Sequence, residues 1–199
     1  MLLVKKIVGN LLFSNMYLLY ENNSTNCWLI DIGDSLALAR ELPDGKKVRG
    51  VFLTHTHYDH IGGLNELYKQ FPQCTVYTSE VGKEALYSSK KNLSFYHDSP
   101  IVYEGDNVSV LHDGDYVALF EDVFLYVKET PGHCDSCLTY YSDKYIFTGD
   151  SYIPEVPVVT KLPGGNRKKS IASVKLIMSL ADNRTILAGH DKDKWIPIL

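Results

Sequence analysis

Short runs rich in β-branched and aromatic residues, broken by turn residues, fill the first third of the chain and predict strands over residues 2–8, 16–20, 27–32 and 48–53. The polar run Asn22-Asn23-Ser24-Thr25-Asn26 between two of them reads as a hairpin loop. Helical spacing predicts one helix over residues 35–42 and another in which Leu64, Leu67, Tyr68 and Phe71 share a face. A strand over residues 75–78 and a helix near residues 80–89 follow. Strands over residues 108–111, 116–120, 123–127, 138–141 and 145–148 then run almost uninterrupted, which predicts a second sheet. Ile171, Val174, Met178 and Ala181 lie on one stripe and predict a final helix, and a strand over residues 185–187 then delivers Gly189-His190.

Most consecutive strands in this order are joined by short turns rather than by helical crossovers. That favours an α+β architecture in which two mixed sheets pack face to face with helices outside, a four-layer αββα sandwich, over a doubly wound parallel sheet. No repeat, low-complexity tract or linker interrupts residues 1–199, so one domain is expected.

Composition removes several function classes. The net charge of -4 carries no excess of basic residues, so nothing marks a phosphate-backbone binder. Hydrophobic residues make up 45% of the chain, yet no apolar run approaches the ~20 residues a membrane helix needs. Met1-Leu2-Leu3-Val4-Lys5-Lys6 places its apolar residues before its lysines and no small-residue cleavage site follows, which predicts a first strand rather than a signal peptide. Cys27, Cys74, Cys134 and Cys137 are too few and scattered for a secreted disulfide framework. A cytoplasmic protein acting on a small molecule, with no nucleic-acid or membrane partner, is the expectation.

The chemistry is concentrated in Thr54-His55-Thr56-His57-Tyr58-Asp59-His60-Ile61-Gly62-Gly63, where a strand runs into a cluster of imidazoles and a carboxylate before a helix. Imidazole and carboxylate suit zinc and its neighbours, and so many donors together can serve one ion or divide between two. An isolated histidine at a strand end is more often a surface residue. Here Pro131-Gly132-His133, Thr148-Gly149-Asp150 and Ala188-Gly189-His190 repeat one pattern downstream, a strand followed by Gly and then a metal-ligand side chain. His97 and His112 stand outside that pattern and read as structural or solvated.

These motifs together resemble the metallo-β-lactamase superfamily, with its H-x-H-x-D-H signature and later His, Asp and His. The resemblance extends back to Asn15-Met16-Tyr17-Leu18-Leu19 and Leu29-Ile30-Asp31-Ile32-Gly33 and so covers nearly the whole chain. It implies His55, His57 and His133 on one metal ion and Asp59, His60 and His190 on a second, with Asp150 bridging them. The implied cofactors are two divalent ions, zinc first, with iron or manganese as alternatives. Such a pair holds a bridging water, lowers its pKa and leaves coordination open for substrate. Asp59 is then the candidate catalytic residue that orients the attacking hydroxide, and Asp31 a candidate for fixing an imidazole tautomer.

An aspartate at position 150 is unlike the β-lactamases proper and typical of glyoxalase II-like hydrolases, lactonases and persulfide dioxygenases. Leu162-Pro163-Gly164-Gly165-Asn166 followed by Ser170-Ile171 resembles the short glyoxalase-like enzymes and implies a thioester or ester substrate. No room is expected after His190 for the helical domain that holds glutathione in the long hydroxyacylglutathione hydrolases. Gly189-His190-Asp191 with Trp195, and Tyr152, instead resemble a lactonase. The Gly-Arg-Thr-Asp stretch of the persulfide dioxygenases is missing, which places a mononuclear-iron oxygenase third.

Lys161, Arg167, Lys168 and Lys169 gather after Asp150, where they can attract an acidic substrate group or form a solvated loop. Tyr152, Lys161 and Arg167 are the candidate substrate contacts. Cys134-Asp135-Ser136-Cys137 reads first as two small buried residues after a ligand turn, and secondly as a redox pair.

Overall fold

Strand β2 (Asn15–Tyr20) shows how the sequence builds two core layers at once in the computed structural model, which describes residues 1–194. Successive side chains of a strand point to opposite faces. Met16 and Leu18 enter one hydrophobic cluster, Tyr17 and Leu19 another, and all four are buried. β1 (Leu3–Val8), β2, β3 (Asn26–Ile30), β4 (Lys47–Phe52), β5 (Thr75–Thr78) and β6 (Val108–Val110) form a six-stranded sheet in that order. The first pairings are antiparallel and those from β3 to β6 are parallel.

The outer cluster lies under α1 (Ser35–Glu41) and α3 (Leu64–Gln70), which contribute Ala37, Leu38, Leu64 and Leu67. Tyr68 and Phe71 pack against it at the helical spacing the sequence displays. Asp34 caps α1 by accepting from the Leu36 and Ala37 amides, satisfying donors a helix start otherwise leaves open.

The inner cluster lies between the sheets. Phe52 of β4 stacks on Tyr77 at 4.5 Å and meets Tyr140 edge-on at 5.4 Å. Tyr140 belongs to β9 (Leu138–Tyr141) of the second sheet, which also holds β7 (Tyr116–Phe120), β8 (Val123–Glu129), β10 (Tyr145–Gly149) and β11 (Thr185–Ala188) in the order β11-β10-β9-β8-β7. β11 runs parallel to β10 and the other pairings are antiparallel, so both sheets are mixed.

Two expectations need correction. Residues 108–111 belong to the first sheet, because α4 (Glu80–Leu86) and the loop after it carry the chain across to lay β6 parallel to β5. The final helix exists as α5 (Arg167–Leu180), but its apolar stripe is not the buried face. Ile171 and Met178 are 52% and 48% exposed, whereas Ser170, Ser173 and Ile177 are buried. The cause is close approach of the loop after β8: a Cβ on Gly132 would lie 2.3 Å from the Ser170 nitrogen. Only small residues fit there, and the Ser173 hydroxyl donates to the Pro131 carbonyl at 2.7 Å.

Candidate metal centre

The C-terminal ends of β4, β10 and β11 and the connection from β8 to β9 supply the donors. After β4 the chain passes through His55 and His57 and winds a short helix, α2 (Tyr58–Ile61), that carries Asp59 and His60 into the same space. The His60 amide donates to the His57 carbonyl at 2.9 Å, which closes this turn. Asp150 follows the last residue of β10 and His190 follows Gly189. A Cβ on Gly189 would stand 2.3 Å from Asp150 Oδ1 and 2.9 Å from His60 Cε1, so His190 reaches the centre only because the preceding residue has no side chain.

The structure brings all seven sequence-predicted ligands together, every one buried. Donor atoms of His55, His57 and His133 form one group within 4.8 Å of one another, those of Asp59, His60 and His190 form another, and a third of His55, His60 and Asp150 joins the two. Asp150 faces both: its Oδ2 lies 3.6 Å from His133 Nε2, and its Oδ1 lies 3.6 Å from His60 Nε2 and 3.7 Å from His190 Nε2.

Hydrogen bonds outside the cluster fix which nitrogen each ring offers inward. His60 Nδ1 donates to Asp31 Oδ2 at 2.9 Å, His133 Nδ1 to the Val159 carbonyl at 2.9 Å and His190 Nδ1 to the Leu12 carbonyl at 3.1 Å. Each Nε2 is thereby the nitrogen turned toward the centre, the orientation metal-ligating histidines require. Thr54 donates its hydroxyl to Asp31 Oδ2 at 2.7 Å and lies 3.2 Å from His55 Nδ1, so it turns His55 the same way. His57 is the exception, presenting Nδ1 to His133 Nε2 at 2.9 Å.

Asp31, proposed from its place at a strand end, is thus tied to two parts of the centre. Burial raises its pKa, while His60 and Thr54 hold it back. Burial opposes charge on His60 as well, but the carboxylates of Asp59, Asp31 and Asp150 outweigh it and push its pKa up to about 10. Burial likewise works against the Asp59 carboxylate, yet His60, His190 and His57 bring its pKa well below the usual range. His55, buried among other imidazoles, is held far below the normal histidine value.

Divalent ions fit this donor set on one structural ground above others. His55 Nε2 and Asp150 Oδ1 are buried without a hydrogen-bond partner, although such groups are normally satisfied. Both point into the cluster, where a cation would satisfy them.

The substrate-side residues fare differently. One cavity of about 190 Å³ has the ligand His57 in its wall with Thr56, Lys91 and Cys134, and another of about 390 Å³, lined by Leu11, Leu12, Tyr58 and His97, lies beside Tyr58 of α2. Tyr152, Lys161 and Arg167 line neither. Tyr152 is half-buried beside Asp150, with its carbonyl accepting from Thr148 Oγ1 at 2.6 Å, while Lys161 and Arg167 are exposed. Lys91 shares the wall of the smaller cavity with His57 and pairs with Glu84 at 2.6 Å, and His97, read from sequence as structural or solvated, stacks on Tyr58 at 3.7 Å. Asp191, part of the lactonase-like ending, is engaged away from the seven ligands. It pairs with Lys6 at 2.8 Å and accepts from Asn15 Nδ2 at 3.2 Å, tying the end of β11 to β1 and β2. Trp195 lies outside the described residues.

The model of the metallo-beta-lactamase superfamily matches residues 9–190, from just after β1 to the last histidine of the centre. The chain belongs to this superfamily. Among curated relatives of this metallo-beta-lactamase-superfamily protein, the hydroxyacylglutathione hydrolase of Buchnera aphidicola subsp. Acyrthosiphon pisum is 29% identical over 191 residues, which is 96% of the chain and 66% of that relative. The chain therefore spans about two thirds of that relative's length. Among solved structures, the BLEG-1 B3 metallo-beta-lactamase aligns with a TM-score of 0.83 at 24% identity, covering 94% of this chain and 91% of that one. TTHA1623, solved in a di-iron-bound form, aligns with a TM-score of 0.77 at 24% identity, covering 98% and 100%. These likenesses show the fold. Within the superfamily, no helix among the described residues of this member is long and apolar enough to cross a membrane.

Proposed function

We propose that this protein is a metal-dependent hydrolase that cleaves a small-molecule thioester or ester, related in activity to the hydroxyacylglutathione hydrolases. The observation that carries the reading is Asp150, whose two carboxylate oxygens are turned one to each of two buried donor groups. The sequence relationship to hydroxyacylglutathione hydrolases supports the substrate class.

His55, His57 and His133 would hold one ion and Asp59, His60 and His190 the other, with Asp150 shared. Two divalent ions there would lower the pKa of water and polarise a carbonyl oxygen. Zinc is the proposed metal, and five imidazoles with two carboxylates also suit iron or manganese.

The chain's own residues set the remaining conditions. The Asp59 carboxylate stays ionised between His60 and His190, at 3.4 and 3.2 Å, and can accept a hydrogen bond from the attacking water and aim it. Asp31, Val159 and Leu12 hold the rings in one orientation, so no reorganisation is needed when substrate arrives. The carbonyl carbon of the substrate is placed between the donor groups. Its two arms would extend toward the cavity beside His57 and the cavity beside Tyr58.

A lactone is the competing ester. The resemblance at Gly189-His190-Asp191, Trp195 and Tyr152 favoured it, and of these Asp191 is engaged by Lys6 and Asn15. Turnover of S-lactoylglutathione, a homoserine lactone and a phosphodiester by zinc-loaded protein separates the classes. Hydrolysis of the thioester well above the other two is expected, and inertness toward all three would refute a hydrolase of this kind.

A further inference from the structure

The turn that presents His133 also carries two thiols that the hydrolytic reading leaves unused. Cys134 and Cys137 bracket the turn at residues 135–136, and their sulfurs are 3.3 Å apart. Residues three apart across a turn have Cα atoms within about 7 Å, a separation that a disulfide can span. Cys134 forms part of the wall of the cavity of about 190 Å³ that His57 also lines, whereas Cys137 does not line that cavity. A reagent entering there meets Cys134 first. Cys27 and Cys74 sit in the outer core cluster and line no part of that cavity.

The same turn is bonded to the metal centre. Gly132 donates its amide to the Cys134 carbonyl at 3.1 Å, Cys134 Sγ meets Ser136 Oγ at 3.2 Å, and Ser136 Oγ meets Thr56 Oγ1, between His55 and His57, at 3.2 Å. A covalent S–S bond of about 2.05 Å requires the two sulfurs to approach by more than ~1 Å, while metal-ligand distances tolerate only about 0.2 Å.

We propose that Cys134 and Cys137 form a dithiol redox site, oxidised by a low-molecular-weight disulfide entering the His57 cavity, and that oxidation loosens the His55, His57 and His133 metal group. The second half rests on the two-metal reading given above. In the first step the Cys134 sulfur attacks one sulfur of the reagent. The reagent's S–S bond breaks, a mixed disulfide forms, and the leaving thiolate takes up the proton that Cys134 loses. The Cys137 sulfur then attacks the Cys134 sulfur, forming the internal S–S bond and releasing the second reagent thiol with the Cys137 proton. Both protein thiols are oxidised and one disulfide is reduced to two thiols.

The test uses full-length zinc-loaded protein and bis(2-hydroxyethyl) disulfide. After desalting, free thiols are alkylated, the protein is digested without reductant, and peptide masses and retained zinc are measured. The expected result is a peptide with Cys134 joined to Cys137, alkylated Cys27 and Cys74, and a loss of zinc that is regained after dithiothreitol and fresh zinc. In Cys137→Ser the reaction should stop at a hydroxyethyl adduct on Cys134. Full alkylation of both thiols in the treated protein, or undiminished zinc in the oxidised one, would overturn the proposal. The masses are read without any turnover, so failure of the hydrolase reading and failure of the redox site give different results.

Discussion

His60 donates its Nδ1 proton to Asp31 Oδ2 at 2.9 Å, and the other oxygen of that carboxylate accepts the Thr54 amide at 2.7 Å. One buried side chain at the end of β3 therefore orients a ligand of the second group and anchors the segment that presents the first. Asp31 sits at φ 57°, a left-handed conformation that Asp and Asn tolerate better than other residues with side chains. Asp31→Asn keeps the backbone and shape but removes the acceptor charge. Zinc affinity of that variant, measured by competition with a chromophoric chelator, is expected to fall about 10–100-fold, the usual cost of losing a partner behind a ligand. Unchanged affinity would show that His60 is oriented by something else.

Loading the centre should release protons. Without metal, burial disfavours a charged His60, but Asp59, Asp31 and Asp150 raise its pKa to about 10, so at pH 7 the ring is protonated and zinc must displace that proton. Affinity at the second group is therefore expected to rise with pH through neutrality and toward pH 10, not to level off near the ordinary histidine value. Zinc added to weakly buffered protein at pH 7 should acidify the solution. Binding that neither acidifies the solution nor depends on pH in this window would contradict this.

At Gly189 a methyl group has no room beside Asp150 and His60. Gly189→Ala is expected to destabilise the fold by about 1–3 kcal/mol through overpacking, and to lower zinc retention more than that loss explains. Thermal unfolding and metal analysis on the same preparation separate the two effects.

On α5, exposure reverses what its apolar stripe suggests. Ile177→Ala is expected to cost about 2–5 kcal/mol in denaturant unfolding, because Ile177 is wholly buried. Ile171→Lys, on the exposed stripe, is expected to stay within about 0.5 kcal/mol of the parent. The opposite ranking would mean that the Ile171 face of α5 is the buried one.

These residues also show what could be read before folding. His133, Asp150 and His190 announce themselves because each follows a strand and a glycine, and Asp31 because it ends a strand. Their outer partners at Val159 and Leu12 are main-chain carbonyls, which leave no mark in side-chain patterns. Lys91 and His97 come from the loops between α4 and β6, and only the packed structure sets Lys91 in one cavity wall with His57 and His97 on Tyr58. The buried face of α5 was hidden for a different reason. Contact as close as that between Gly132 and Ser170 selects small polar residues, and a search for apolar periodicity passes over them.

The most direct measurement is the number of zinc ions bound per chain when metal-free protein is titrated to saturation, for the parent and for Asp150→Ala. Two buried donor groups sharing one carboxylate predict two zinc ions per parent chain, and weaker binding of both in the variant because each loses the same ligand. One ion per chain, or a variant that binds two as tightly as the parent, would contradict a shared two-metal centre.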